Sequence, residues 1–274
     1  MILYHIILLA IIQGITEFLP VSSSGHLGLF HCFIDHCDHW DTKNLTMDIA
    51  VHVGTLLSVL TYFWRDVIKM ACGVKDIGTG HAKSDNAKLL YFIIISSIPV
   101  IIAGFILNIL EPDWLKTLHV IAWATILFGI LLWWADKKAQ TTRKIDSLTA
   151  KDALFIGLAQ MLALIPGTSR SGITMTAARF LGYSRSESAH YSLLLAIIAI
   201  SGAGTLIGID LLKGEDVQLG TDVLIAVILS FISGWLAISA MMKFLEKCTF
   251  TIFAIYRIIL GSALLALLYT GMIG

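Results

Sequence analysis

Long apolar runs separated by short polar punctuation dominate this chain. Leu89–Leu110, Asp222–Met242 and Ile252–Met272 each reach the ~20 residues that a helix needs to cross a bilayer core. Met47–Trp64, Leu118–Trp134 and Ala189–Leu212 read as three further spans. Two places break the pattern. Ile2–Leu19 stops at Pro20, and the run after the following serines, Leu27–Ile34, holds only eight residues. Eight helical residues rise about 12 Å, well short of a ~30 Å hydrocarbon core. Further along, Ala153–Ile165 and Ile173–Leu181 are again short and flank Pro166–Gly172. Both places read as re-entrant helix pairs, because irregular backbone at membrane depth is tolerated only where protein or a wet cavity surrounds it. The expected fold class is an all-α polytopic membrane protein. It forms a single membrane domain, 1–274, with inverted-topology repeats at approximately 1–138 and 147–274. Each repeat holds one re-entrant helix pair plus three transmembrane helices.

Charge supports this order. Lys and Arg concentrate in the stretches 65–88, 135–152 and 243–251 and at Arg185, whereas 35–46, 111–117 and 213–221 carry one lysine each (Lys43, Lys116, Lys213). Three spans per repeat put all the basic stretches on one side, the cytoplasmic side by the positive-inside rule. Two full crossings in place of each short pair would leave the sides unchanged, so the lengths, not the charges, argue for re-entrance. The 274 residues are 57% hydrophobic and 14% charged, with a mean hydropathy of +0.84. A net charge of zero gives no reason to expect nucleic acid. The N-terminus lacks a basic region and a small-residue cleavage site, so no cleaved signal peptide is expected. Cys32, Cys37, Cys72 and Cys248 form no paired framework, although Cys32 and Cys37 could meet in an oxidising compartment.

Candidate chemistry gathers at the two breaks. The first reads QGITEFLPVSSSGH, Gln13 to His26, and the second IPGTSRSG, Ile165 to Gly172. Polar groups inside hydrophobic spans are expensive and mark function by default. Gln13 and Glu17 are spaced i, i+4 and share a helix face. Glu17 suits a general base or a ligand for Mg²⁺ or Ca²⁺, with Gln13 supporting it; a polar helix–helix contact is the bland alternative. Ser22, Ser23 and Ser24 follow a proline and precede Gly25, so their N–H groups and hydroxyls can form an anion-binding turn. A serine or His26 there could also be a nucleophile activated by the carboxylate. Arg170 stands among Thr168, Ser169 and Ser171, and its planar fork suits phosphate oxygens. An ion pair with Glu17 would also bring the two motifs together. His31, His36 and His39 with Asp35, Asp38 and Asp41 match no standard metal spacing and read as a solvated loop.

The two motifs in this order, with FWR at Phe63–Arg65 and FAIYR at Phe253–Arg257, closely resemble the bacterial undecaprenyl-diphosphate phosphatases of the bacitracin-resistance type. The resemblance covers essentially the whole chain. It implies hydrolysis of undecaprenyl diphosphate to undecaprenyl phosphate and inorganic phosphate, which recycles the lipid carrier for cell-wall synthesis. It also implies a multi-pass inner-membrane protein with interlocked inverted repeats, a cavity open to the periplasm and a divalent cation, Mg²⁺ or Ca²⁺. The expected partners are the polyprenyl diphosphate substrate and membrane lipids; self-association is left open. The family's acidic motif falls on Gln13 and Glu17, its serine–histidine motif on Pro20, Ser22, Ser23, Gly25 and His26, and its arginine motif on Pro166–Gly172. Gln13 in place of Glu removes a charge from any metal site, so Glu17 is expected to carry the metal and acid–base role. The preferred assignment has Ser23 as nucleophile, His26 as base or proton shuttle, and Arg170 as phosphate clamp. Gln13, Ser22, Ser24, Thr168, Ser169 and Ser171 bind substrate. The alternative function is a secondary transporter or flippase for polyprenyl phosphate, since broken helices in inverted repeats are also carrier architecture.

Overall fold

The computed structural model describes residues 3–35, 45–110, 112–140, 142–213 and 220–271, with the side chains of 32–35, 45, 113, 116 and 203–213 also left undescribed. The expected loop bearing His36, His39, Asp38 and Asp41 lies outside the described residues, as does Cys37.

Helix α1 (Leu3–Phe18) ends where Pro20 disfavours helical backbone at Leu19. α2 (Ser23–Asp35) starts directly on the serines rather than after them. α3 (Leu45–Tyr62) and α4 (Trp64–Gly78) follow, bent by 86° about Phe63. Then come α5 (Asp85–Leu110), α6 (Leu118–Lys138) and α7 (Ala150–Gln160), the last continued by a tighter turn over Met161–Leu164. The second half closes with α8 (Arg170–Phe180), α9 (Arg185–Lys213), α10 (Thr221–Leu245) and α11 (Thr251–Tyr269). Among the described residues, α5, α6, α10 and α11 are long and apolar enough to cross a membrane, and α3 with α4 makes a fifth if the bent pair is one span. The expected span Ala189–Leu212 falls within α9, which has 29 residues.

One expectation is corrected. The stretch 65–88, read as a basic loop, holds helix α4. Its sequence is amphipathic: Met70 and Gly73 are buried while Arg65, Lys69 and Lys75 are exposed. α4 lies on α5, and Gly73 lets it come close, since a Cβ there would sit 2.6 Å from the Asn86 carbonyl oxygen.

Small residues make the helix crossings. Without a hydrophobic force between helices in lipid, close backbone approach supplies much of the packing. α1 packs on α10 through Gly14, where a Cβ would fall 2.8 Å from the Gly234 nitrogen. α7 packs on α5 through Gly157, where a Cβ would meet the Ser96 Cα at 2.7 Å. The first helix of each broken segment therefore packs on a span from the other half of the chain. α6 and α11 cross through Gly129 and Gly261. Apolar side chains such as Phe105, Ile109, Leu236 and Ile259 point outward, as lipid contact requires.

Charged locks close one end. Buried Asp136 accepts from Arg179 Nε at 2.9 Å, Arg185 Nε at 2.8 Å and the Phe250 N–H at 3.1 Å, joining the ends of α6, α8, α9 and α11. Nearby, Asp152 caps α7 with Thr149 and accepts from Arg143 and Tyr183. Burial opposes ionisation of Asp152, but its bonds to Arg143, Thr149 and Tyr183 outweigh that and hold its carboxyl below the usual range.

The α3–α10 crossing is testable. Gly54→Ala puts a Cβ 2.4 Å from the Val227 carbonyl oxygen, and forcing the helices apart should cost about 1–3 kcal/mol. Thermal unfolding in detergent should show a lower midpoint. Gly78→Ala, which meets open space, should leave the midpoint unchanged or slightly raised.

Candidate active site

The two broken segments are built alike. Ser22 and Ser169 both adopt positive φ, 75° and 70°, a costly backbone for a residue with a Cβ and one that clusters at functional sites. Each hydroxyl then accepts from the backbone N–H three residues on: Gly25 N to Ser22 Oγ at 3.3 Å, and Gly172 N to Ser169 Oγ at 3.1 Å. Ser22 Oγ also meets Ser24 Oγ, and Ser169 Oγ meets Ser171 Oγ. Ser23 and Arg170 therefore occupy the same place, the first residue of the helix that leaves the turn. Arg170, read from sequence as part of the break, is helical.

Glu17 joins the two turns. Its Oε1 accepts from Arg170 Nη2 at 2.9 Å, and its Oε2 accepts from Ser23 Oγ at 2.7 Å and from Gln13 Nε2 at 3.0 Å. Glu17 is 9% exposed and Gln13 wholly buried. A desolvated ion pair is unforgiving of the loss of one partner, which costs about 3–5 kcal/mol. The second nitrogen of the guanidinium, Nη1, donates to the Ser192 carbonyl at 3.0 Å, which aims the fork from α9. Ser171 Oγ donates to the Leu19 carbonyl at 2.9 Å, a second tie between the motifs.

His26 is placed differently from the expectation. Its Nδ1 donates to the Ser22 carbonyl at 2.7 Å, which in the neutral ring leaves the lone pair on Nε2. Nε2 receives the Tyr256 hydroxyl, and the two rings stack. The acceptor beside Ser23 Oγ is the Glu17 carboxylate, while the imidazole of His26 meets Ser22 and Tyr256. The hydroxyls of Ser22, Ser169 and Ser171, expected to bind substrate, are buried and committed to backbone or to one another. Ser24 is exposed, and the buried Thr168 Oγ1 has no protein partner.

α11 supplies Tyr256 and Arg257, which the sequence offers only as part of the FAIYR match and with no role attached. Arg257 is fully buried and donates to the carbonyls of Thr125 (3.1 Å), Gly167 (2.9 Å) and Ala124 (3.4 Å). It pins the turn before Arg170. Gly167 has φ 91°, and a Cβ there would sit 2.4 Å from the Ile121 carbonyl oxygen, so only glycine fits. An arginine inside the apolar run Ile252–Met272 was the available signal. Two apolar cavities flank α1, one of them lined in part by His26. One of about 380 Å³ runs past Tyr4, Leu8 and Phe30 to His26. The other, of about 660 Å³, lies between α1, α10 and α11, with Leu19 in its lining.

Among the described residues no three His, Cys, Asp or Glu side chains form a metal-binding group. The oxygen donors here are the Glu17 carboxylate, the Ser23 hydroxyl and Gln13 Oε1, which is buried without a protein partner.

A serine hydroxyl and an arginine thus meet on one buried carboxylate inside a polytopic helical membrane protein. Residues 6–263 match the family described as Bacitracin resistance protein BacA, and the chain belongs to that family. It is 45% identical over 271 residues to an undecaprenyl-diphosphatase of Roseobacter denitrificans, covering 98% of this chain and 100% of that one. It is similar at 45% identity to those of Ruegeria pomeroyi over 269 residues (98% and 99%) and Hahella chejuensis over 266 (97% and 98%).

Removing the Arg257 clamp should loosen the second turn. Arg257→Leu strips three buried carbonyls of a charged donor, which should cost about 2–4 kcal/mol. The expected readout is a lower unfolding midpoint in detergent together with reduced activity, both partly restored by Lys at the same position.

Proposed function

We propose that the chain hydrolyses undecaprenyl diphosphate to undecaprenyl phosphate and inorganic phosphate. The observation that carries this reading is the bond set on Glu17: Ser23 Oγ at 2.7 Å and Arg170 at 2.9 Å on one buried carboxylate. Binding an anion needs Arg170 and backbone donors; a serine paired with a carboxylate base goes beyond what a carrier requires.

The chemistry follows from the contacts. The terminal phosphate of the lipid diphosphate takes the Arg170 guanidinium, whose fork suits its oxygens. Ser23 Oγ attacks that phosphorus and gives its proton to Glu17 Oε2. The anhydride P–O bond breaks, and undecaprenyl phosphate leaves with the bonding pair. Water then takes the place of the Tyr256 hydroxyl on His26 Nε2, attacks the phosphoserine and gives that nitrogen a proton. The Ser23 oxygen departs from phosphorus and recovers its proton from Glu17, releasing inorganic phosphate. Arg170 stays fixed against the transferring group in a largely buried site, where a charged donor is more effective than in water. A divalent cation fits here: Gln13 Oε1 and Glu17 would hold it together with substrate phosphate oxygens. When bound, Mg²⁺ or Ca²⁺ supplies positive charge to the phosphates.

The repeat reading extends this. Gln13 and Gln160, and Ser22 and Ser169, stand the same 147 positions apart, and both glutamines leave a buried Oε1 without a partner. The crossings of α1 on α10 and α7 on α5 support inverted, interlocked repeats at about 1–138 and 147–274. The charge distribution supports an inner-membrane orientation with 65–88, 135–152 and 243–251 cytoplasmic and the site open to the periplasm.

Phosphate release from undecaprenyl diphosphate by purified protein in detergent tests the function. Wild type should turn over with Mg²⁺ or Ca²⁺ and lose activity on chelation. Ser23→Ala should lose about 10³-fold in kcat, as loss of a nucleophile does. A well-folded wild type without turnover under any metal condition would overturn the reading.

A further inference from the structure

The helix that begins at Ser23 carries one stripe away from the site. Ser23, His26 and Phe30 stand at i, i+3 and i+7 of α2, which puts them on one face. His26 and Phe30, with Leu29 beside them, form one wall of the cavity of about 380 Å³ between α1 and α2. The other wall is an i, i+4, i+8 stripe of α1, Tyr4, Leu8 and Ile12. Phe30 is buried, and its ring meets that of His5 edge-on at 6.4 Å. Tyr4 and Leu8 are exposed, so the cavity opens on the apolar outer surface of α1.

Position and chemistry select the occupant. A helix rises 1.5 Å per residue, so His26 stands ~4.5 Å and Phe30 ~10.5 Å along α2 from Ser23. In a polyprenyl diphosphate attacked at its terminal phosphorus, the P–O–P–O–C link spans about one helical turn before the first prenyl carbon. The cavity therefore begins where the prenyl chain begins. Its lining is mainly hydrocarbon and aromatic, and its volume is that of a small-ligand site, enough for the first isoprene units and too small for a whole undecaprenyl chain. The larger cavity is not placed for this. Its α1 stripe, Ile11, Ile15 and Leu19, lies nearly opposite Gln13 and Glu17 around the helix.

We propose that the cavity between α1 and α2 holds the first isoprene units of the lipid diphosphate, with Leu8 and Leu29 setting the fit. The inference rests on the proposed hydrolysis of undecaprenyl diphosphate and names where the tail of that substrate lies. Lipid tails are as apolar as this lining, so moving the chain from bilayer to groove releases no hydrophobic free energy. What the groove supplies is register. It holds the chain at a fixed distance from the phosphates, so that the terminal phosphorus meets Ser23 while Arg170 grips its oxygens.

The test is photocapture by purified protein of farnesyl diphosphate carrying a diazirine on its tail, with and without excess undecaprenyl diphosphate, beside an assay of phosphate release. Crosslinks should fall on α1 and α2 around Leu8 and Leu29 and should vanish with the competitor. Leu29→Trp, and separately Leu8→Trp at the exposed rim, should each cut this capture about tenfold and lower kcat/KM for undecaprenyl diphosphate about tenfold, with the unfolding midpoint unchanged. Ile15→Trp, the matching change in the larger cavity, should do neither. The wild-type crosslink map stands whether or not a variant folds. Competable capture on α10 or α11, around Leu236 and Phe253, would overturn the inference. So would capture that the competitor does not reduce, or wild-type capture and kinetics in both tryptophan variants at the groove. Any of these with normal wild-type turnover leaves the hydrolase reading standing. Competable capture at Leu8 and Leu29 without turnover would overturn the hydrolase reading and keep the groove.

Discussion

A single buried carboxylate organises the centre of this molecule. Glu17 sits at the inner end of α1 with both oxygens occupied by protein donors, and the strongest of them, Arg170, arrives from a helix 153 residues away. Neither charge could remain at this depth alone, because desolvating an unpaired ion costs several kcal/mol. The pair therefore demands that the two broken segments meet, and the surrounding contacts agree with that demand. Ser171 reaches the Leu19 carbonyl, Arg257 fixes Gly167 from behind, and Ser192 steadies the guanidinium. In the proposed reaction, the ion pair that joins the two segments is also the one that a phosphate exchanges into, so that structure and reactivity draw on the same interaction.

The likeness of the two turns explains how such a site can arise from one local design. Both use a serine at positive φ as a helix cap, and both place a chemically active residue immediately after it. The difference lies in that residue and in the helix before it. The first turn carries Ser23 and is preceded by Glu17; the second carries Arg170, with Leu164 at the corresponding position. In the proposed mechanism one copy supplies nucleophile and base, the other the anion clamp. The backbone device is repeated and the chemistry is divided between the copies.

Much of this was legible in the sequence because the membrane makes polar residues conspicuous. The spans, the two breaks and the grouping of Glu17, Ser23, His26 and Arg170 all follow from where charge and hydroxyls interrupt apolar runs. Helix α4 was missed because its basic residues dominate the composition, while only Met70 and Gly73 betray the buried stripe. The capping roles of Ser22 and Ser169 were hidden, since positive φ at a serine has no local sequence signature comparable to glycine's. The separation of three residues between Ser23 and His26 does not show which way each side chain turns: Ser23 meets Glu17, and the imidazole faces α11. Contacts such as Tyr256 to His26, which join distant helices, depend on packing that no local pattern encodes.

The central claim is that Glu17 and Arg170 work as one unit. A double-mutant cycle on kcat/KM for undecaprenyl diphosphate, using Glu17→Gln, Arg170→Met and the combined variant, tests it most directly. Two halves of one site predict strongly non-additive losses, with the double variant no worse than the more damaging single. Losses that simply add would contradict the account and separate the two motifs.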